Sequence, residues 1–307
     1  MAVYDTYYEF QASPFTLSPD PRFLFLSRRH REALAGLKYA VRDGKGFAVL
    51  TGEVGTGKTT LVHALLSELG TDAASALVFN PNLSRGDLYL HLLAEFHLPP
   101  ENSIPSCVRA LQKLLLERFR AGVRVVVILD EAHALSDDIL EEVRLLSNFE
   151  TSQNKLIQVL LIGQPELRER LRKPELRQLR QRIALRFELA ALDFSETVAY
   201  VRSRLAAARS AFDLFQPDAY TALYSFSGGL PRLINVLCDQ ALLTGFARDR
   251  REIGADLVHR VAGDLDLPAL VRIGFWGRLV SRRRLLRDLS APNGATPGDG
   301  HPVEADK

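Results

Sequence analysis

Cysteine is nearly missing from this chain: Cys107 and Cys238 are the two in 307 residues. Neither sits in a pair or beside a histidine at ligand spacing, which argues against a disulfide framework and against a zinc site. Long hydrophobic runs are also missing, since no stretch approaches the roughly 20 apolar residues that a bilayer-crossing helix needs. The opening MAVYDTYYEF has neither a basic leader nor a long apolar stretch, so no secretory signal is expected and the cytoplasm is the expected compartment. An excess of one charge is absent as well. The net charge is +2, too small to diagnose a nucleic-acid partner. No internal repeat is visible.

What is present is the balance of a globular protein, 47% apolar and 25% charged residues, in a chain long enough for a nucleotide-binding domain with a smaller companion. The lead-in carries PFTLSPDPRFLFLS, rich in proline and aromatic residues, and reads as packed irregular chain. Residues 30–41 read as a helix with Ala33, Leu34, Leu37, Ala40 and Val41 on its apolar stripe. Beyond it, apolar runs at 46–50, 76–79, 123–129 and 156–162 alternate with helical patterns following 57 and at 85–96, 106–119 and 137–149. A shorter fifth strand fits 184–189. Runs that are apolar throughout, with helices between them, indicate a parallel sheet covered on both faces. After Ala190 the strand signals stop, and four helical patterns between Ser195 and Val261 form an all-helical module.

The most specific pattern is Gly52-Glu-Val-Gly-Thr-Gly-Lys58-Thr59, a complete G-x-x-x-x-G-K-T phosphate loop between an apolar strand and a helix. Its glycines let the backbone curl so that amides face phosphate oxygens, and the helix that follows presents its positive end to the same charge. Gly52, Glu53, Val54, Gly55, Thr56, Gly57, Lys58, Thr59 and Thr60 are the candidate nucleotide-binding residues. Lys58 is expected at the β and γ phosphates, and the Thr59 hydroxyl on Mg²⁺. A second pattern, Val125-Val-Val-Ile-Leu-Asp130-Glu131, ends a buried strand in two carboxylates. Asp130 is the second candidate for the Mg²⁺ shell, and Glu131 the candidate base that polarises the attacking water. The expected ligands are therefore ATP and Mg²⁺, and the adjacent acids favour hydrolysis over simple binding.

Gln164, at the end of the run 156–162, is placed to hold the lytic water or to sense the γ phosphate. Arginine is needed around a transferring phosphoryl group. Arg177, Arg180, Arg182 and Arg186 supply candidates, with Arg182 the favoured subunit-bridging finger and Arg177 next. Arg232 follows Gly228-Gly229-Leu-Pro231 at a helix start in the helical module, from which it can project back to the nucleotide.

With these residues in place the sequence resembles the ExeA/GspA-like branch of the AAA+ ATPases, a branch that also includes ATPases of exopolysaccharide and exosortase clusters and is related to transposition ATPases of the TniB type. The matching stretches are PFTLSPDPRFLFLSRRHREAL, LTGEVGTGKTT, VVVILDEAH, LLIGQPELRERL, PELRQLRQRI and SGGLPRLINVLCDQAL. The resemblance implies an α/β P-loop NTPase of the ASCE type, a three-layer parallel sheet with a C-terminal all-helical lid. Its parts are a lead-in and first helix packed on the ATPase core at 1–45, the core at 46–190, the lid at 191–265, a basic amphipathic segment at 266–290 and a disordered tail at 291–307. It also implies Walker A at Gly52–Thr59, Walker B at Asp130 and Glu131, sensor 1 at Gln164, an arginine finger near Arg182, sensor 2 at Arg232, and a lead-in lying near the adenine.

The expected role is a self-associating motor ATPase of an envelope polysaccharide or protein export system, with a protein of that assembly as partner. The segment 272–287, which holds Arg272, Arg278, Arg282, Arg283, Arg284 and Arg287 beside Phe275 and Trp276, is a candidate contact for an anionic membrane surface, which would place the protein peripherally at the inner membrane. Two alternatives stay open: a DNA-associated ATPase of the transposition-helper type, and a nucleotide-dependent scaffold that does not hydrolyse.

Overall fold

The computed structural model describes residues 2–18, 20–79, 83–210 and 213–271. The basic segment 272–287 and the tail 291–307 lie outside them.

The polypeptide builds five strands: β1 (Phe47–Gly52), β2 (Ala73–Val78), β3 (Arg124–Leu129), β4 (Gln158–Gly163) and β5 (Ile183–Leu189). They form one sheet in the order β2-β3-β4-β1-β5, and every pairing is parallel. The three inner strands β3, β4 and β1 are buried almost throughout, as their unbroken apolar runs require when helices cover both faces. β5 alternates between half-buried and exposed residues up to Leu189, because an edge strand has one face open to water.

Before the lid the helices are α1 (Arg28–Arg42), α2 (Lys58–Leu69), α3 (Arg85–Glu95), α4 (Ile104–Arg120), α5 (Asp137–Leu146), α6 (Glu166–Arg170) and α7 (Arg177–Arg182). α1 starts where the Ser27 side chain accepts from the His30 amide, a cap worth about 1 kcal/mol. Its apolar stripe, with that of α2, packs on Ala48, Leu50, Val126, Ile128, Leu160 and Ile162. The opposite sheet face, carrying Val49, Val127, Leu129, Val159 and Leu161, is covered mainly by α3, α4 and α5. Alternate residues of one strand thus enter two separate cores, and each fully buried leucine contributes about 1.5–3 kcal/mol. Cys107 and Cys238 are buried free thiols, one in the core under α4 and one in the helical module.

The helical module comprises α8 (Phe194–Ala207), α9 (Pro217–Ser227), α10 (Pro231–Ala247) and α11 (Ala255–Asp264). Here the packing differs from the sequence expectation. α1 lies on the ATPase core, but the lead-in before it does not: Tyr4, Tyr8, Phe10, Phe15 and Phe23 are buried in the core of the helical module. The Tyr4 hydroxyl donates to Asp239, and that of Tyr8 donates to the Arg250 carbonyl at 2.9 Å. The aromatic lead-in adds large apolar area to the core of the helical module, and the polar tips of Tyr4 and Tyr8 find partners on α10 and just beyond it. The chain therefore starts in the lid, passes the core as α1, and returns to the lid after β5.

The returning segment at Leu192 packs against the α9–α10 turn at Gly229, which has φ +78°. Its carbonyl accepts from the Leu192 amide at 2.9 Å, and a Cβ placed on it would sit 1.9 Å from the Leu192 carbonyl oxygen. This glycine joins the α9–α10 turn to the segment that enters the lid. Gly229→Ala is expected to destabilise the protein by about 3 kcal/mol, combining left-handed strain with a backbone clash; a urea midpoint unchanged from the parent would contradict the close approach.

Candidate nucleotide site

The loop after β1 closes on Gly57, whose φ of +93° makes it the N-cap of α2 without any side-chain hydrogen bond to the first turn. Only a residue lacking Cβ adopts that backbone readily. The uncapped amide end of α2 opens on a cavity of about 350 Å³ lined by Gly55, Gly57, Lys58, Thr59, Thr60 and Glu131, within the size range of small-molecule sites. A helix N-terminus with a fixed positive partial charge and free amides suits phosphate.

Lys58 is buried, and its Nζ donates to the carbonyls of Gly52 at 2.7 Å and Glu53 at 3.0 Å. Burial lowers its pKa from the ordinary lysine value, an effect partly offset by the charges of Glu131, Asp130 and Glu53. Asp130, 5% exposed, follows β3 directly. Its Oδ2 accepts from the Thr59 hydroxyl at 3.0 Å and its Oδ1 from the Glu131 amide at 2.8 Å. The two motifs, 71 residues apart in sequence, therefore meet at one oxygen pair. A hydroxyl and a carboxylate are hard oxygen donors of the kind Mg²⁺ takes while keeping water and phosphate as its other ligands. The donor set fits that ion.

Glu131 takes φ +54°, and its half-exposed side chain lies 3.3 Å from His133 Nδ1. Gln164 follows β4, the strand between β3 and β1, and its Nε2 is 3.0 Å from His133 Nε2. Glu131 lines the cavity, whereas His133 and Gln164 are absent from its walls.

Arg232 lines the cavity from the lid side. Its amide donates to the Gly55 carbonyl at 3.3 Å, and its exposed side chain has no hydrogen bond or ion pair among the described residues. Arg182 is placed differently from the other candidates. Its Nη1 donates to the Arg144 carbonyl at 3.2 Å, to Asn148 Oδ1 at 2.9 Å and to Ser147 Oγ, so the guanidinium caps the C-terminal end of α5. Arg180 and Arg186 donate to the carbonyls of Arg172 and Arg180. Arg177 is exposed and has no such partner among the described residues.

Several cavity residues escape sequence reasoning. These are Tyr200 and Arg204 on α8 and Asn235 on α10, which line the cavity beside Thr16, Leu17, Ser18, Asp20 and Phe23 of the lead-in, the segment that the resemblance implied would lie near the adenine. Arg204 is buried; its Nη1 donates to the Tyr200 hydroxyl at 2.7 Å, Nη2 donates to the Thr16 carbonyl at 3.2 Å, and the guanidinium lies 5.0 Å from the centre of the Phe23 ring. One arginine thus fixes the lead-in to the lid and paves the cavity. A charged residue four positions from a tyrosine on an otherwise apolar helix face was the available signal.

His30 was missed as a specific contact too. It is buried, with Nε2 2.9 Å from the Thr56 carbonyl and Nδ1 2.7 Å from Ser27 Oγ. A ring that donates from Nε2 and accepts the Ser27 proton at Nδ1 satisfies both contacts and ties α1 to the phosphate loop.

Comparison with known proteins gives the following similarities. The family described as AAA domain matches residues 41–171. General secretion pathway protein A of Aeromonas hydrophila is 45% identical over 269 residues, 87% of this chain and 48% of that protein; the chain thus spans about half the length of this relative. The fold is similar to the Aeropyrum pernix ORC2 protein in its ADP form, with TM-score 0.63, 18% identity and coverage of 83% of this chain and 73% of that one. It is also similar to the Drosophila ORC bound to DNA, with TM-score 0.67, 16% identity and coverage of 96% and 80%. At such identities the two structures speak to the fold alone.

Burial lowers the His30 pKa from its ordinary 6.5, although the Thr56 carbonyl and Glu196 oppose the shift. The folded state therefore binds this proton less readily than the unfolded chain. The stabilisation is fully present above the unfolded value of about 6.5 and is lost as pH falls through the lower folded value. Between pH of about 7.5 and about 5, the Tm of His30→Gln is expected to fall less than that of the parent. Parallel pH profiles would remove His30 from this role.

Proposed function

The chain is an AAA+ ATPase-domain homologue of General secretion pathway protein A in the ExeA/GspA family, and from that premise we propose that it hydrolyses ATP and uses the cycle to drive an export or secretion assembly. The observation that carries this reading is the 3.0 Å contact between Thr59 Oγ1 and Asp130 Oδ2 at the open end of α2. It unites a phosphate cradle with an acidic strand tip.

In this reading the amides of Gly55–Thr60 hold the phosphate chain, and Lys58 exchanges its two loop carbonyls for phosphate oxygens. Thr59 and Asp130 would hold Mg²⁺, which would supply charge neutralisation beside the bound phosphates. Glu131 orients water and accepts its proton. Arg232 reaches toward the phosphates from α10, so that the lid answers to the state of the loop through the Gly55–Arg232 contact. The Phe23–Arg204–Tyr200 wall receives the base.

Self-association is part of the proposal. Arg182 is committed to the end of α5, and the exposed Arg177 is the better placed of the two candidates to cross to a neighbouring subunit. The secretion role rests on the relative's name and the 45% identity. The structural similarities give no comparable support to a DNA-associated role, because they extend to the fold alone. No helix among the described residues is long and apolar enough to cross a membrane; a cytoplasmic protein that meets the inner membrane through residues 272–287 is the localisation we propose.

Glu131→Gln is expected to keep ATP affinity and lose turnover by about 100-fold or more. Lys58→Ala is expected instead to weaken ATP binding by about tenfold or more. Equilibrium binding measured beside steady-state phosphate release separates the two, and full turnover by Glu131→Gln would overturn the hydrolytic assignment.

A further inference from the structure

Glu131 lines the cavity, but its side chain is held from behind. His133 presents Nδ1 to Glu131 Oε2 at 3.3 Å and Nε2 to Gln164 Nε2 at 3.0 Å. The approach of Nδ1 to the carboxylate is an ion-pair contact and not an aligned hydrogen bond, while the imidazole meets Gln164 through both nitrogens, Nε2 at the side-chain amide and Nδ1 as acceptor from the backbone amide at 3.5 Å.

The backbone around His133 is fixed independently of this pair. Ala132 N donates to the Ile162 carbonyl at 2.7 Å, which pins the loop to the end of β4. Arg170, on α6 just after Gln164, donates from Nη1 to the carbonyls of His133 at 2.6 Å and Leu135 at 2.5 Å, and from Nη2 to Asp137. The imidazole is therefore mounted on a braced loop, with a side chain only 18% exposed. Glu131, in contrast, is 48% exposed and needs an external restraint to keep one direction.

We propose that His133 is a positioning residue that ties the water-activating carboxylate of Glu131 to Gln164, and that Gln164 acts on hydrolysis through this imidazole. The inference rests on the assignment of Glu131 as the hydrolytic base. It follows from placement: Glu131 reaches the cavity, while His133 and Gln164 are absent from its walls. A change at the β4 tip is then felt at Glu131 as a change in where the imidazole stands against its carboxylate.

The experiment compares His133→Ala, His133→Asn, Gln164→Ala, the His133→Ala/Gln164→Ala double variant and Glu131→Gln in the full chain. Each is measured for ATP affinity, KM, kcat and thermal midpoint. His133→Ala is expected to lower kcat by roughly ten- to a hundredfold through misplacement of the carboxylate, with ATP affinity and KM within about twofold because the phosphate cradle is untouched. His133→Asn, which retains a polar group near the Nδ1 position, should recover part of the loss. The double variant should lose no more than the worse single one, because both residues act along one path. Parent-like kcat in His133→Ala while Glu131→Gln is inactive would overturn the inference and leave the ATPase reading intact; so would losses that multiply in the double variant. Full activity in Glu131→Gln would remove both.

Discussion

A single hydrogen bond registers the site: Thr59, on the first turn of α2, donates to Asp130 at the tip of β3. The strands that feed these residues are not neighbours, since β4 lies between β1 and β3. Their carboxyl ends are brought level by parallel pairing of Thr51 with Gly163 and of Leu129 with Leu161. Three adjacent strand ends therefore deliver, in order, the acidic pair, Gln164 and the phosphate loop. Such a crevice at the carboxyl ends of a parallel sheet is where α/β proteins place ligands. The apolar interior of the sheet supplies the rigidity, and the polar chemistry is confined to the residues just past it.

The second constraint comes from the lid. Arg232 and Gly55 share a backbone hydrogen bond, so α10 is in contact with the loop it faces. Arg204 binds the lead-in carbonyl of Thr16 and the Tyr200 hydroxyl, while Phe15 and Phe23 are buried among the lid helices. The lead-in is thus packed into the lid, and the cavity wall it forms belongs to that body. α1 is held to the other side of the loop through His30 and Thr56. Any displacement of the lid relative to the sheet must be taken up between residues 23 and 28 and near Leu192, the two places where chain crosses from one body to the other.

Much of this was readable in the chain, because its signals are local. The apolar runs of β1, β3 and β4 are uninterrupted since both sheet faces are covered, and the glycine spacing of the phosphate loop reflects backbone angles that only glycine takes easily. Asp130 and Glu131 mark the point where β3 leaves the core. Contacts made across distant segments were not readable. Nothing adjacent in sequence to His133 announces that Gln164, 31 positions on, will face the same imidazole. Arg204 and His30 read as ordinary residues on amphipathic helices until Phe23 and Thr56 are brought against them. The aromatic lead-in showed that it would be packed without showing on which body, because a stripe of Tyr and Phe fits a helical lid as well as a sheet-covering helix. Arg182 looked like a free cation because the C-terminal end of α5 that it caps lies more than thirty residues earlier.

The proposed cycle requires that the loop from Gly52 to Thr59 and the tip of β3 close together on one magnesium-bound triphosphate. Amide hydrogen exchange with and without ATP and Mg²⁺, run on Glu131→Gln so that the nucleotide is not consumed, tests it most directly. ATP with Mg²⁺ is expected to slow exchange in residues 52–60 and in the lid turn at 228–232 together, and removal of Mg²⁺ to weaken the effect. Unchanged exchange at both segments under saturating nucleotide would contradict that closure.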